Sequence, residues 1–517
     1  MQQLTKRDRN YVVAAVLVAT FLSALDATIV DTAMPRIIGA LGGMSLYSWV
    51  FSAYLLASTT TVTIYGKLSD IYGRKRILLV GIAIFVFGSA LSGQSGSMME
   101  LIIFRGLQGL GAGAVLPVTQ TIIGDLFSLE QRARMQGLFS SIWGFSAIVG
   151  PALGGLIVDH STWRWIFYIN VPAGLAASWL LWQYFKEKVE IREHRVDYLG
   201  TSLLTVGVVT LLLALLEGGV NHPWSSLPIV TLLAVAVLSL GSFLWVEAKA
   251  PEPTLPLELF RNPIIAVFNL AGFLSGVVMI GMTTYLPLFA QGVQGATATA
   301  AGAILAPLSL GWPIGSTIGG RVILRLGYRA SAMIGTFFEL LGATFLLTID
   351  RSAGLPIWSL MLVMFIMGLG LGFATLAFIL AIQNAVGWRQ RGVATASAQF
   401  IRNLGATMGV SLMGTVLNLR LIAGLRQVPN LIPAGLSGPA VLSRINDLLQ
   451  PGSRATLEPA TRAAFGSILA QALRSVHWLI LVAAIAGIVV TWFTPRGRAQ
   501  DQAAKEPEPG IAEPRTN

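Results

Sequence analysis

The chain has 517 residues, of which 54% are hydrophobic and 11% charged, less than half the charged share of about 25% found in soluble proteins. At a mean hydropathy of +0.70 no single water-soluble core can hide the apolar surface, and disorder is excluded by the same numbers. The absence of cysteine removes disulfides and thiolate chemistry, and the meaning of the +11 formal charge depends on where the cations lie.

Apolar runs long enough to cross about 30 Å of hydrocarbon, roughly 20 residues each, recur along nearly the whole chain. The first covers residues 11–38; it is too long for a cleaved leader, contains Asp26 and lacks a small-residue cleavage site. Three more centre near Leu56, Ile84 and Leu110, and a fifth and sixth near Ala147 and Ala176. Two follow at 196–216 and 228–246, and four centre near Val277, Leu308, Phe338 and Leu369. One more follows Arg391 and the last ends near Phe493, giving an expected total of about fourteen. The 55 glycines suit helices that approach closely within a bilayer.

Cations concentrate in every second loop, with roughly 24 of the 35 Lys/Arg on the side of the N-terminus. That side carries Lys6, Arg7 and Arg9, then Arg74, Lys75 and Arg76, then Arg132 and Arg134. The short opposite loops carry only Arg36, Arg164 and Arg351. Both termini are therefore expected in the cytoplasm, which an even number of spans requires. The excess charge reads as an orientation signal and needs no nucleic-acid partner.

A connection of about 45 residues, 424–469, links the last two spans on the outside. Helical periodicity at 439–449 and 459–476 predicts short amphipathic helices in it, forming an ordered external cap or a gate. The tail from Arg496 is charged and proline-rich and is expected to be disordered.

The loop Gly66-Lys67-Leu68-Ser69-Asp70-Ile71-Tyr72-Gly73-Arg74-Lys75-Arg76 has a degenerate copy, Gly320-Arg321-Val322-Ile323-Leu324-Arg325-Leu326-Gly327-Tyr328-Arg329, 254 positions later. Duplicated halves of this kind are how many secondary transporters build two bundles around a central site. The expected units are a six-span bundle at 1–185, two additional spans at 186–255, and a second six-span bundle at 256–495. The tail is 496–517.

These residues carry a resemblance. The 66–76 loop is similar to the signature loop of the major facilitator superfamily, and Arg105-Gly106-Leu107-Gln108-Gly109-Leu110-Gly111-Ala112-Gly113 resembles its fourth-span motif. Gly144 with Gly150-Pro151-Ala152-Leu153-Gly154-Gly155 resembles the fifth-span antiporter motif. Leu25-Asp26-Ala27-Thr28-Ile29-Val30 with Ala33-Met34-Pro35, and Trp49-Val50-Phe51-Ser52-Ala53-Tyr54-Leu55-Leu56, resemble motifs of its fourteen-span drug/proton antiporters. That pattern commonly has Asn where this chain has Asp31. The resemblance implies an all-helical membrane fold of two six-helix bundles plus two extra spans, in the cytoplasmic (inner) membrane. It also implies export of small molecules against protons.

Gly66 and Gly73 permit close packing and a tight turn, while Asp70, Arg74 and Lys75 can build an ionic latch. Asp125, at the inner end of the fourth span, is a candidate acceptor for Arg74, and Asp70 can face the helix start near Gly392. The alternative is a static basic loop. Gly144, Gly150, Gly154 and Gly155 follow helix-packing spacings and Pro151 removes one backbone donor. Sealing of the two halves against leak is what the resemblance adds. The glycines of 109–113 follow no strand, which argues against a nucleotide loop.

An ionisable residue inside a span costs at least about 2.5–3.5 kcal/mol at the bilayer centre and usually faces a cavity or a partner. Asp26 and Asp31 stand five residues apart, roughly 140° around the helix. Counting depth from the outer helix ends favours an Asp31–Arg105 pair and leaves Asp26 as the proton carrier, with Asp31 sharing the role or answering Arg105. The competing reading makes both acids structural. Glu339 lies midway along the eleventh span and reads equally as carrier or structural acid, whereas Arg402 reads as a packing cation.

The resemblance places a substrate pocket among spans 1, 4, 9 and 12. Candidate contacts are Gln108, Gln120, Asn269, Phe273, Tyr285, Gln291, Phe373, Phe378 and Gln383. An apolar wall with one or two acids suits bulky amphiphilic cations. The expected function is therefore proton-coupled export of hydrophobic or cationic compounds by a monomer, with no cofactor or metal. The alternatives are export of a native lipid, siderophore or metabolite, and a non-transporting receptor or scaffold. The four scattered histidines form no catalytic or metal-binding cluster in the sequence, so an enzyme is not expected.

Overall fold

The computed structural model describes residues 5–41, 46–187, 197–218, 222–250, 253, 255–296, 298–349, 356–426 and 459–495. Among them no β-strand forms; the chain is a succession of helices. The first group is α1 (Lys6–Leu41), α2 (Tyr47–Tyr72), α3 (Arg74–Gln94), α4 (Met98–Leu126), α5 (Leu129–His160), the single turn α6 (Trp165–Tyr168) and α7 (Asn170–Tyr184). A hairpin follows, α8 (Tyr198–Glu217) and α9 (Leu227–Glu247). The second group is α10 (Pro263–Gly292), α11 (Ala298–Leu326), α12 (Tyr328–Ile349), α13 (Ile357–Asn384), α14 (Arg391–Leu425) and α15 (Pro459–Trp492).

Local signals start these helices where the loops end. Ser97 accepts from the Glu100 amide at 3.2 Å, and the Glu100 carboxylate reaches back to the Gly96 amide at 2.8 Å. Ser128 and Gln131 form a capping box at the head of α5. Asn262 caps α10 ahead of Pro263, a residue suited to the first helical turn.

Twelve helices among the described residues are long and apolar enough to cross a membrane, and this is a multi-pass membrane protein. Fourteen crossings are expected from the sequence. The two further helices beside the twelve are α2 and α5, with 26 and 32 residues. Arg9 lies over the Phe127 ring at 5.2 Å, and Arg329 over Trp492 at 5.0 Å. The start of α1 and the end of α15 therefore share one end of the bundle with the ends of α4 and α11.

The α8–α9 hairpin sits against both groups. Ser411 of α14 donates to the Leu215 carbonyl at 2.7 Å, and the Trp224 indole donates to Thr415 at 3.0 Å. On the other flank α8 shares an apolar groove with α2 and α4, lined by Trp49, Ile103, Val209 and Leu213. The separate amphipathic helix expected at 459–476 is instead the first half of α15, one continuous helix of 34 residues. The apolar run ending near Phe493 extends back through it because Phe465, Leu469, Leu473 and Val476 keep one face buried. The expected helix at 439–449 and the tail lie outside the described residues.

Candidate functional site

The fourth helix carries the sequence's most unusual side chain for its setting, a fully buried arginine. Arg105 Nη1 donates to Asp26 Oδ2 at 2.6 Å and to Gln108 Oε1 at 2.8 Å. Gln108 Nε2 donates to Asp26 Oδ1 at 2.9 Å, and Asn170 Nδ2 donates to the same oxygen at 3.2 Å. Asn170 in turn donates to Ser89, whose hydroxyl donates to the Phe167 carbonyl. Asp26 is thus a carboxylate with no exposure, matched by one cation and two amides from α4 and α7. Such matching is what a buried charge requires.

This arrangement corrects the pairing expected from depth. Arg105 meets Asp26, on another face of α1 from Asp31, whose side chain is outside the described residues. Counting from the outer ends misleads because α1 runs on to Leu41 whereas α4 begins at Met98; the two ends share no common level.

Beside this cluster lies a cavity of about 340 Å³ lined from both helix groups. Ser23 and Ala27 of α1, Tyr54 and Ser58 of α2, Gln120 of α4 and Trp143 of α5 form one wall. Met279, Trp312, Thr375, Gln399, Arg402 and Asn403 form the other. Asp26 is not among the lining residues. Tyr54 touches both places: it lines the cavity, and its ring stacks 4.2 Å from the Arg105 guanidinium carbon.

Of the substrate contacts expected from the sequence and placed here, only Gln120 lines this cavity. Gln108 belongs to the Asp26 cluster. Asn269 donates to its own helix at the Ile265 carbonyl, 2.8 Å, and Tyr285 donates to the Val410 carbonyl at 3.1 Å in the second group's core. Phe273 abuts Gly405 through its backbone, Phe373 packs on Phe338, and Phe378 packs on Phe268 at 5.4 Å between centroids. Gln383 donates to the Gln120 carbonyl and to Thr395, both at 3.2 Å, below the cavity. Helices such as α13, buried nearly all round, have no polar face from which sequence could tell cavity from core.

The end of the bundle where α1 begins and α15 ends is joined by charges. Asp70 Oδ1 meets Arg74 at 2.8 Å, and its two oxygens accept the Gly392 and Val393 amides at 3.1 and 2.8 Å, at the start of α14. Asp125 accepts Arg74 Nε at 3.0 Å and Arg391 Nη1 at 2.6 Å. Arg74 also donates to the Trp388 carbonyl at 3.0 Å and lies 4.4 Å from that indole ring. Gly66 lets α2 touch α14: a Cβ there would collide with Ala396. Gly73 holds φ at +93°, a conformation glycine alone adopts without strain. Lys75 donates outward to the Trp182 carbonyl at 2.7 Å, and Glu187 accepts the Arg74 and Lys75 amides at 3.0 and 2.9 Å, capping α3.

Residues 16–410 match the family model described as Major Facilitator Superfamily. The chain belongs to that superfamily. Its members are transporters of small molecules, not enzymes. The chain is 41% identical over 412 residues to multidrug transporter protein MdtP of Bacillus subtilis (strain 168), covering 80% of this chain and 76% of that one. It is 36% identical over 497 residues to Multidrug resistance protein 3 of the same organism, covering 96% of each. The solved structure of the proton:xylose symporter XylE superposes with a TM-score of 0.59 at 12% identity, over 95% of this chain and 96% of that one. That likeness carries the fold alone.

The duplication typical of major facilitator chains survives here in detail. Gly73 and Gly327, 254 positions apart, each hold a positive φ between two helices. At the end of α4, Asp125 receives Arg74 from α3 and Arg391 from α14; at the end of α13, Asn384 receives Arg132 Nη1 at 2.8 Å and donates to Tyr328 Oη at 2.5 Å. Each group thus sends an arginine from the start of its fifth helix to the end of the other's fourth. The second copy is neutral at two of three places. The sequence repeat exposed the glycines, but the Arg132–Asn384 partner needed the fold, because nothing in the spacing links those two residues.

The glycines of α5 behave unequally. A Cβ on Gly144 would strike the Ser309 carbonyl of α11, and one on Gly150 would strike Thr28 of α1. Gly154 is buried, whereas Gly155 faces open space and needs no glycine for packing. The side chain of Pro151 is outside the described residues. Thr28 donates to the Ser146 carbonyl at 3.0 Å, and Ser140 and Ser316 share a hydrogen bond of 3.2 Å; α5 is therefore bonded to both groups. Glu339, nearly unexposed on α12, accepts from Ser275 of α10 at 2.5 Å, a hydroxyl in place of a cation.

Proposed function

We propose that this transporter is a proton-coupled antiporter that exports hydrophobic compounds by alternating access. The observation that carries the reading is Tyr54, which joins the cavity to the Arg105–Asp26 pair. An exchanger needs a titratable site that senses occupancy of a substrate site, and Tyr54 supplies the contact. The relatives named as multidrug transporters support drugs and toxic compounds as cargo, with antibiotic resistance as the consequence in a cell.

Asp26 is the proton carrier in this reading, with Asp31 and Glu339 as further candidates. Protonation of Asp26 frees Arg105 from its counter-charge, and Arg105 is then pulled toward Tyr54 and the cavity wall. The Asp70–Arg74–Asp125–Arg391 cluster is the latch that holds the outward-facing state. Its position at the end where α1 begins and α15 ends fits a cytoplasmic face and fourteen crossings, with α2 and α5 completing the count in a monomer of the cytoplasmic membrane. Gly144, which brings α5 against Ser309 of α11, seals the two halves against leak in this reading.

Purified protein in liposomes containing a pH-sensitive dye tests this. Addition of a hydrophobic substrate dissipates a preset proton gradient in wild type, and Asp26→Asn does not respond. Equal gradient dissipation by Asp26→Asn and Asp31→Asn removes both acids from the carrier role, and no substrate-dependent proton flux in wild type rejects antiport.

A further inference from the structure

Arg402 is a charge the proposed cycle does not use. It lies eleven residues into α14, about 16 Å from the latch end at 1.5 Å per residue, and faces the central cavity. Among the described residues its guanidinium makes one hydrogen bond, Nη2 to Gln399 Oε1 at 2.7 Å, and no carboxylate lies within 4.0 Å. None of the described residues that line the cavity is acidic. Asp26 of α1 is already matched by Arg105, Gln108 and Asn170.

The neighbouring amides are polarised by this cation. Arginine only donates, so the Gln399 oxygen must face it. The Gln399 amide nitrogen then donates onward to Asn403 Oδ1 at 2.9 Å. That occupies the Asn403 oxygen and leaves its NH₂ group for the cavity. Positions 399, 402 and 403 share one helix face, so α14 presents a cation and amide donors to a cavity whose described lining holds no carboxylate to match the charge. Elsewhere the wall sets the apolar and aromatic Trp143, Trp312, Phe139 and Met279 among neutral polar groups such as Gln120 and Thr375.

We infer that the cavity selects amphiphilic monoanions, an apolar scaffold bearing one carboxylate, which Arg402 and Asn403 receive. The inference rests on the export reading for its biological direction but on the cavity alone for its charge preference. It competes with the expectation of cationic cargo, which needs an acid in the pocket wall. A cation in this cavity meets Arg402 as a like charge in a place of weak screening.

Three probes of one scaffold test it: dansylaminoundecanoate, its primary amide and its trimethylammonium counterpart. Binding to the purified full chain is read by tryptophan-to-dansyl energy transfer, with Trp143 and Trp312 in the cavity wall as near donors. Wild type binds the carboxylate about ten-fold or more tighter than either other probe, as expected for a charge-assisted contact. Arg402→Gln brings the carboxylate to the level of the amide while amide binding stays within about two-fold, and Arg402→Lys keeps an intermediate preference. Tightest binding of the trimethylammonium probe to wild type, or an unchanged carboxylate preference in Arg402→Gln, overturns the inference. Should Arg402→Gln not fold, the wild-type ranking and Arg402→Lys decide. In liposomes under a pH gradient, three probes moved at equal rates refute the selectivity but leave export standing. A carboxylate that binds selectively while no probe moves refutes export and leaves the selectivity standing.

Discussion

The Tyr54 ring stacks 4.2 Å from the Arg105 guanidinium carbon, and the same guanidinium holds the Asp26 carboxylate at 2.6 Å. Because Tyr54 also lines the cavity, a bulky substrate bound there would reach, through this ring, the cation that the buried acid holds. A contact of this kind is worth about 0.5–2 kcal/mol, enough to shift a two-state balance several-fold. Tyr54→Phe keeps the ring and is expected to transport within about two-fold of wild type by that energy scale. Tyr54→Ala is expected to bind proton and substrate independently: substrate-induced proton release in detergent, read with a pH dye, falls to background. Unchanged release in Tyr54→Ala refutes the coupling.

Asp26 and Arg105 also separate stability from transport. Removing one partner of a buried pair costs about 3–5 kcal/mol when the other charge is left unmatched. Asp26→Ala is therefore expected to unfold at a clearly lower temperature than wild type. Asp26→Asn keeps a side-chain oxygen that can accept from Gln108 and Asn170 and loses less. Its pH-driven transport is expected to vanish while exchange of labelled for unlabelled substrate across the same liposomes continues. Loss of both activities in a folded Asp26→Asn protein assigns Asp26 to the framework instead.

The charged contacts of the 66–76 loop were legible in the sequence and the cavity was not, for a physical reason. Asp70, Gly73 and Arg74 lie in one short stretch, and a glycine flanked by charges at a helix junction admits few geometries. Asp125 sits at a helix end, where its position exposes it as an acceptor for Arg74; that Arg391 meets the same carboxylate needed the fold. Asp26 and Arg105 were identifiable as costly intramembrane charges, but their pairing depends on the relative height of two helices, which no residue count gives. Asn170, Tyr54 and Asn403 carry no such cost and look like ordinary helix residues until packing brings them together. Arg402 was visible as a charge; that it faces a cavity instead of a packed neighbour is a property of α14's rotation.

The absence of native cysteine makes the latch measurable without background labelling. Spin labels at Arg76→Cys and Gln390→Cys, both exposed on the latch end, report the distance between the two halves. In wild type the short-distance population is expected to dominate. Asp70→Asn removes the charge facing the Gly392 and Val393 amides and Arg74, and is expected to move population to longer distances. A distribution unchanged by Asp70→Asn and by Asp125→Asn makes the loop a static anchor.

The neutral copy of the latch offers a gain-of-function test. Arg132 donates to Asn384 at 2.8 Å across the two halves, where its counterpart Arg391 meets the carboxylate of Asp125 at 2.6 Å. Asn384→Asp converts the first contact into a charged one, and charge-assisted hydrogen bonds are about twice as strong as neutral ones. The closed end is then held by two ionic clamps in place of one. Asn384→Asp is expected to sharpen the short-distance population between the same two labels, raise the unfolding temperature and slow turnover several-fold with substrate affinity unchanged. Arg132→Gln in the same background is expected to restore wild-type turnover, because it removes the partner that makes the new charge matter. If Asn384→Asp speeds transport or leaves the distance distribution broad, the two halves are not clamped reciprocally, and Arg132–Asn384 is a local contact of no mechanical consequence.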